Sequence, residues 1–303
     1  LFRSKVDSIL FYLQLKIQFL LQKILIQTIN SMNINFKMED LILLKLGGEV
    51  IRKNLDNVLN QIGFIAEKII LIHGGREIVN EYSLKVGIEP KFVTSPEGIK
   101  SRYTSLDELE IYVMTMNLIN KKITSILNSK GVPSIGISGV DGNLILAKKK
   151  DKIVILNEKG RKQIIDGGYT GKITKINVDL MNKLLNCYRC IVVSPIALDL
   201  EKGCMLNVDS DQVAAEIAKA MKISKIIFLT DVNGLKINEN YIRTVKLSEI
   251  PALLSKTGFG MNRKLMMIYE AMKNGVNEVI IANGLSTDFL KEIENGNATK
   301  FLS

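Results

Sequence analysis

The chain contains Leu41-Ile-Leu-Leu-Lys-Leu-Gly-Gly48 and Lys68-Ile-Ile-Leu-Ile-His-Gly-Gly75, two short apolar segments that each end in a pair of glycines. Apolar runs of this length before glycine are typical of buried strands, and helix-like sequence follows each of them. Glycines at the carboxyl end of a parallel strand let the backbone approach a ligand and present amide donors to it. Neighbouring strands would therefore bring the two pairs together as a phosphate-binding site, although either pair alone is also compatible with a simple tight turn.

Two polar residues stand inside these apolar runs. Lys45 favours an anion site, because a lysine within a buried strand is costly unless its charge meets a negative group. His73 is the only histidine of the chain. We expect a structural hydrogen-bonding role for it, since no nucleophile or metal-ligand partner has suitable spacing.

The rest of the chain alternates apolar runs with helix-like stretches, which predicts an α/β fold with a parallel sheet covered by helices on both faces. Between residues 144 and 176 the pattern changes to short alternating segments typical of β-hairpins, which we expect to build a substrate lid or wall. Further strands are predicted at 132–137, 191–193, 226–229 and 279–281, and helices at 107–128, 209–221 and 262–274.

Composition is that of an ordinary globular protein: 303 residues, 47% hydrophobic and 24% charged, with a formal net charge of +10. The basic residues are scattered, only Lys148-Lys-Lys150 forms a run, and no nucleic-acid motif accompanies them. We therefore interpret most of this charge as solvated surface and expect no nucleic-acid partner. The excess charge can still attract ATP or an acidic macromolecule.

The cysteines and the first 37 residues indicate in which compartment of the cell we expect the protein. Three cysteines are too few to staple a chain of this size, which fits a reducing cytoplasm, and Cys187-Tyr-Arg-Cys190 lacks further ligands for a metal site. Residues 9–26 are apolar but interrupted by Gln and Lys at helical intervals, so we expect an amphipathic helix and no membrane span. No signal-peptide cleavage site follows. The main domain is expected to start at Met38, with residues 1–37 as an oligomerisation helix or an upstream extension.

Other nucleotide-binding signatures do not match. Gly167-Gly-Tyr-Thr-Gly-Lys172 is one residue short of a P-loop, and Ile173 stands where Ser or Thr would bind magnesium. No G-x-G-x-x-G follows any predicted strand, so both familiar nucleotide folds lose support.

Residues 38–303 resemble the amino-acid kinase family, which includes acetylglutamate kinase and carbamate kinase. The matching motifs occur in family order and are Lys45-Leu-Gly-Gly48, His73-Gly-Gly75, Asn207-Val-Asp-Ser-Asp-Gln-Val-Ala-Ala215, Leu229-Thr-Asp-Val-Asn-Gly234 and Gly260-Met-Asn-Arg-Lys264. The resemblance implies a three-layer αβα sandwich of carbamate kinase type around a mainly parallel sheet. It also implies an acyl-substrate lobe at 38–222, a nucleotide lobe at 223–303, and a homodimer.

The resemblance also implies roles for individual residues. Lys45 and Lys264 would flank the transferring phosphoryl group, and Asp211 would hold both lysines in position. The remaining residues fall into three groups, with phosphate-binding amides at Gly48, Gly74 and Gly75, substrate contacts at Gly74, Gly75, Arg102 and Asn207, and nucleotide contacts at Thr230, Asp231, Gly234, Gly260 and Met261. Three of these residues also have a simpler interpretation. Asp211 could do no more than cap a helix, Lys264 could be a solvated helix residue, and Arg102 could be solvated surface charge.

Phosphoryl transfer to a carboxylate suits such a set. Alignment and charge neutralisation supply most of the catalysis, so lysines and amide donors suffice. A carboxylate acceptor is already ionised at neutral pH, and no general base is required. We expect ATP as donor, with Mg²⁺ held mainly by the ATP phosphates.

Two segments indicate the acceptor. Ser101-Arg-Tyr-Thr104 and Gly168-Tyr-Thr-Gly-Lys172 look more like the branch that phosphorylates α-aminoadipate or glutamate attached to a small acidic amino-group carrier protein than like acetylglutamate kinase. The basic residues Lys100, Arg102, Lys172 and Lys175 would then face the acidic carrier. This branch serves lysine biosynthesis and, with glutamate, arginine biosynthesis. N-acetylglutamate kinase of arginine biosynthesis is the alternative, and one methylene distinguishes glutamate from aminoadipate.

Overall fold

The computed structural model describes residues 41–65, 67–96, 98 and 100–303, so the predicted helix near the N-terminus lies outside the described residues. The strands are β1 Leu41–Leu46, β2 Lys68–His73, β3 Phe92–Thr94, β4 Lys100–Arg102, β5 Ser134–Ser138, β6 Ile145–Lys149, β7 Lys152–Leu156, β8 Lys162–Asp166, β9 Gly171–Ile176, β10 Cys190–Ser194, β11 Ile196–Asp199, β12 Cys204–Asn207, β13 Lys225–Thr230, β14 Leu235–Ile237, β15 Asn240–Ile242, β16 Thr244–Lys246, β17 Glu278–Asn283 and β18 Thr299–Leu302. The α-helices are α1 Gly48–Ile62, α2 Arg76–Lys85, α3 Leu106–Ser129, α4 Val178–Cys187, α5 Ser210–Met221, α6 Ile250–Leu253, α7 Phe259–Lys273 and α8 Phe289–Glu294.

The main sheet has eight strands in the order β16-β18-β17-β13-β1-β2-β10-β5. All neighbours from β17 to β5 pair in parallel, and only the β17–β18 pair is antiparallel. Successive strand residues point to opposite faces, and Ile42, Leu43 and Leu44 are all at most 1% exposed. Both faces of the sheet are therefore covered, as the continuous apolar runs predict. The predicted α/β sandwich is confirmed.

The two glycine pairs lie side by side. Strands β1 and β2 are paired so that Leu46 stands opposite His73, and both strands end at the same edge. The Gly74 N–H donates to the Leu46 carbonyl at 2.8 Å, and the Gly47 N–H donates to the Leu229 carbonyl at 2.9 Å. The first turns of α1 and α2 therefore begin next to each other at the carboxyl edge of the sheet.

Hairpins occupy the segment where the sequence predicts them. Strands β6 and β9 pair antiparallel and join a four-stranded sheet in the order β12-β11-β6-β9. Strands β7 and β8 form a second hairpin, which extends the β3–β4 hairpin in a sheet of order β4-β3-β7-β8. Residues of β7 line the cleft described below, so this excursion forms one of its walls.

Candidate functional site

A cleft of about 1400 Å³ lies at the carboxyl edge of the main sheet. Four helices, α1, α2, α5 and α7, present first-turn residues to it. Helices α1, α2 and α7 have Gly47, Gly75 and Gly258 as N-caps, and no side chain caps them. First-turn N–H groups have no partner within a helix, and the positive end of the helix dipole attracts negative charge. The cleft is therefore built to receive an anion.

One carboxylate and two ammonium groups form the charged centre of this cleft. Lys45 Nζ lies 2.7 Å from Asp211 Oδ1, and Lys264 Nζ donates to Asp211 Oδ2 at 2.7 Å. Lys45 comes from β1, Asp211 from the first turn of α5 and Lys264 from α7. The three side chains keep only 10%, 17% and 11% of their surface exposed. Residues far apart in sequence thus form one ion triad.

Burial and charge act in opposite directions within the triad. Burial alone would raise the pKa of Asp211, but the neighbouring lysines more than offset this, and its pKa falls well below the usual range. Burial lowers the pKa of Lys264, while the Asp211 carboxylate opposes that shift. Two ammonium groups share one carboxylate, so an ionised triad keeps a net positive charge for an incoming anion.

Gly75 allows a close approach between helices. A Cβ at this position would lie 2.6 Å from Ile119 Cδ1 and 3.3 Å from two atoms of Met116. Both of those side chains belong to α3, which packs against α2. Any larger residue would push the start of α2 away from its present place at the cleft.

His73 is completely buried behind the glycines. Its Nδ1 lies 3.0 Å from the Gly74 carbonyl and its Nε2 lies 3.1 Å from Ser194 Oγ. Burial lowers its pKa to about 4, so the ring is neutral at physiological pH. These contacts agree with the structural role predicted from the sequence.

Comparison with known proteins identifies the family. Residues 40–283 match the model of the amino acid kinase family. The LysW-aminoadipate/LysW-glutamate kinase of Saccharolobus solfataricus is 50% identical over 245 residues, which cover 81% of this chain and 93% of the relative. The protein of the same name from Metallosphaera sedula is 47% identical and covered over 99% of its length. The chain belongs to the amino acid kinase family. It is an ATP-dependent phosphotransferase, as the kinases of this family are.

Solved structures of other proteins share the fold at low sequence identity. N-acetylglutamate synthase from Neisseria gonorrhoeae superposes with a TM-score of 0.70 at 18% identity; the match covers 87% of this chain and 59% of the synthase. Carbamate kinase from Giardia gives a TM-score of 0.62 at 16% identity and is covered over its whole length. The predicted carbamate kinase-like architecture is therefore confirmed.

Arg102 and Asn207 lie on the wall of the cleft. The Arg102 guanidinium donates from Nη1 to Glu108 Oε1 at 3.1 Å, and its Nη2 contacts Asn80 Oδ1. Only 7% of the Arg102 side chain is exposed. Asn207 Nδ2 donates to Thr104 Oγ1 at 3.0 Å. Both residues are thus fixed in place before any ligand arrives.

The residues predicted to bind nucleotide separate into two groups. Thr230, Asp231, Gly260 and Met261 line the cleft. Gly234 is not among the lining residues; its φ of 134° suits glycine, and a Cβ there would lie 2.4 Å from Thr299 Oγ1. A role in turn geometry accounts for Gly234, and its predicted nucleotide contact stays a prediction.

Sequence reasoning missed three supporting residues. Glu108 accepts from Arg102 and from the Lys91 N–H through Oε1, and closes the capping box of α3 through Oε2. Asp209 caps α5 and pairs with Arg263 at 3.1 Å. The pattern Ser105-x-x-Glu108 is a capping-box signal and could have revealed the first of these. The Asp209–Arg263 contact joins distant segments and leaves no local signal.

In the part of the chain that the structure describes, no group of three His, Cys, Asp or Glu side chains is placed to hold a metal ion. No described helix is long and apolar enough to cross a bilayer.

Proposed function

We propose that this kinase transfers the γ-phosphoryl group of ATP to the side-chain carboxylate of α-aminoadipate, glutamate or both, while the amino acid is attached to a small acidic carrier protein. The product is an acyl phosphate for lysine biosynthesis and, with glutamate, arginine biosynthesis. One observation supports this proposal most strongly. About half of the aligned residues are identical to those of LysW-aminoadipate/LysW-glutamate kinases, and the alignments cover 93% to 99% of the length of these relatives.

The ion triad fits the transfer step. Lys45 and Lys264 would neutralise the equatorial oxygens of the transferring phosphoryl group, and Asp211 would keep the two ammonium groups at the correct separation. The amide groups of Gly48 and Gly75 would donate to the same oxygens. The Gly74 N–H already donates to the Leu46 carbonyl at 2.8 Å, so Gly74 would contribute through its close approach and not as a phosphate donor. No general base is needed, since the acceptor carboxylate is ionised at neutral pH.

Arg102 and Asn207 would hold the acceptor. The guanidinium has five N–H donors, of which Glu108 and Asn80 engage two, so three remain for the second carboxylate of the amino acid. The existing contacts favour binding, because an arginine that is already ordered loses little side-chain entropy when the ligand arrives. Gly74 and Gly75 complete this side of the site.

The nucleotide would lie against Thr230, Asp231, Gly260 and Met261, which line the same cleft. Mg²⁺ would arrive with ATP and remain mainly on its phosphates, because it gives up water reluctantly. The acyl-substrate lobe would then comprise residues 38–222 and the nucleotide lobe residues 223–303.

The carrier would approach the β3–β4 and β7–β8 hairpins. Lys100 and Lys162 of this wall line the cleft, and Lys172 and Lys175 on β9 are exposed. A cluster of one sign raises the encounter rate with a partner of opposite charge, and this effect weakens as salt is added. We place the reaction in the cytoplasm, where ATP is available.

The kinase would act as a homodimer. Helix α3 exposes Met114 and Leu118, which lie one turn apart and are 60% and 53% exposed. An apolar pair of this kind on one helix face suits a contact with a second copy.

Carrier dependence tests the proposed function. ADP release would be measured with ATP and carrier loaded with aminoadipate, carrier loaded with glutamate, or free N-acetylglutamate. We expect turnover with at least one loaded carrier and much slower turnover with N-acetylglutamate. Equal or faster turnover with free N-acetylglutamate would instead support the arginine-pathway alternative.

A further inference from the structure

Lys150 is a cation in the cleft that has no acidic partner among the described residues. It follows β6 at the base of the β7–β8 hairpin, and its backbone N–H donates to the Thr170 carbonyl at 3.1 Å. Its side chain lines the cleft. Among the described residues, no carboxylate lies within ion-pair distance of its ammonium, whereas the nearby Lys148 on β6 has Glu201 at 3.9 Å.

The charged groups that act on Lys150 are themselves positive. Partial desolvation by the cleft walls lowers the pKa of Lys150, and Arg263 and Lys172 lower it further by repulsion. Although the residue remains solvent-accessible, its ammonium is less well hydrated than on an open surface. An anion that enters beside Lys150 would oppose both effects.

Arg263 lines the same cleft from another element of the fold. It belongs to α7 and directly precedes Lys264 of the ion triad. Its Nη2 lies 3.1 Å from Asp209 Oδ2, within ion-pair distance. Asp209 Oδ1 in turn accepts the N–H groups of Asp211 and Gln212 at 3.0 Å each. Asp209 therefore holds Arg263 beside the triad, and the other N–H groups of Arg263 remain available to a ligand.

We propose that Lys150 and Arg263, which line the same cleft, together bind an anionic oxygen of a reacting ligand, a phosphate or a carboxylate. The identity of the ligand rests on the proposed function. The oxygen would come from the ATP phosphates or from the carrier-linked acceptor. In either case the anion replaces repulsion between two cations with two charge-assisted hydrogen bonds.

The test compares three substitutions. Lys150→Met removes the charge and keeps the length, and Lys150→Arg keeps the charge. Lys148→Met removes a charge two residues earlier, on β6, from a side chain that does not line the cleft. Binding of the non-hydrolysable nucleotide AMP-PNP with Mg²⁺ would be measured by calorimetry. The KM for loaded carrier would be measured at saturating ATP.

Lys150→Met should raise either the dissociation constant of AMP-PNP or the KM for loaded carrier by about tenfold, as expected for the loss of a hydrogen bond to a charged group. A loss confined to AMP-PNP binding assigns the phosphates, and a loss confined to the carrier KM assigns the acceptor. Lys150→Arg should restore most of the loss, and Lys148→Met should change neither quantity more than twofold. The melting temperature of ligand-free Lys150→Met should equal or exceed that of the wild type, because a repelled cation has been removed.

The inference would be overturned if Lys150→Met left both AMP-PNP binding and the KM for loaded carrier within twofold of the wild-type values. It would also be overturned if Lys148→Met changed either quantity as much as Lys150→Met does. Calorimetry with AMP-PNP requires no turnover. If no acceptor is phosphorylated, the proposed function fails, and the nucleotide arm alone then decides the inference: unchanged AMP-PNP binding overturns it.

Discussion

Asp211 organises the charge of the site at the scale of single residues, because each of its carboxylate oxygens faces a different lysine. Asp211→Asn would leave two buried ammonium groups with no neutralising partner, and they would move apart. We expect the rate constant for phosphoryl transfer, measured in single-turnover experiments, to fall by about 100-fold or more, as when other preorganised charge stabilisation is removed.

Asp179→Asn is the matched control for this substitution. Asp179 occupies the same second position of helix α4 that Asp211 occupies in α5, and it is exposed. If Asp211 only improved a helix N-terminus, both substitutions would cause similar small losses of stability and leave kcat unchanged. That outcome would remove Asp211 from the transfer step.

His73 should make stability depend on pH. Its pKa is about 4 in the folded protein and about 6.5 when unfolded, so the unfolded chain binds more protons between these values. The stability associated with the neutral ring is complete above about pH 6.5 and is lost as pH falls toward 4. Urea unfolding at several pH values should show a slope approaching about 1.4 kcal/mol per pH unit in this window.

The variant His73→Gln should lose this slope, since His73 is the only histidine of the chain. Its pH dependence between 5 and 6.5 should be much flatter than that of the wild type. An unchanged slope would show that other groups carry the proton uptake and that His73 is not held neutral.

The glycine at the start of α2 sets the position of that element. Gly75→Ala would place a Cβ at 2.6 Å from Ile119 Cδ1, so α2 must shift relative to α3. We expect a lower melting temperature and a kcat reduced by about tenfold or more, because misplacement of a donor by 1 Å can cost still more. Ile119→Val removes the clashing atom, so the double variant should recover part of both losses. Purely additive losses in a double-mutant cycle would contradict this account of Gly75.

Elements were predictable where the pattern is local. The predicted strand at 226–229 is found at Lys225–Thr230, and the predicted helix at 107–128 is found at Leu106–Ser129. Boundaries shifted where a single residue overrides the pattern. The helix predicted to begin at Asn262 begins at Phe259, because Gly258 supplies the extended N-cap conformation.

The site was predictable in part. Lys45 in a buried strand and the glycine pairs point to an anion site from local sequence alone, whereas Asp211 and Lys264 came from the order of family motifs. The partners of Arg102 and the position of Lys150 depend on side chains brought together from distant segments. No periodicity or spacing records such contacts, and only the folded arrangement reveals them.

The exposed apolar pair on α3 bears on the oligomeric state of the whole molecule. If Met114 and Leu118 form the proposed dimer contact, Leu118→Glu should place an unpaired charge in it and yield a monomer by light scattering. Leu200→Glu is the control, since Leu200 is 58% exposed and lies in a different part of the chain. A wild-type monomer, or a Leu118→Glu variant that remains dimeric, would contradict this assignment.

Transfer of phosphate to the side-chain carboxylate of a carrier-linked amino acid is the central claim. Hydroxylamine converts an acyl phosphate to a stable hydroxamate, so intact-mass and fragment mass spectrometry of the carrier after reaction with ATP would locate the product. We predict a hydroxamate on the side chain of the terminal aminoadipate or glutamate, and formation of this product at least about 100-fold more slowly in Asp211→Asn. A carrier that remains unmodified while free N-acetylglutamate becomes the hydroxamate would contradict it.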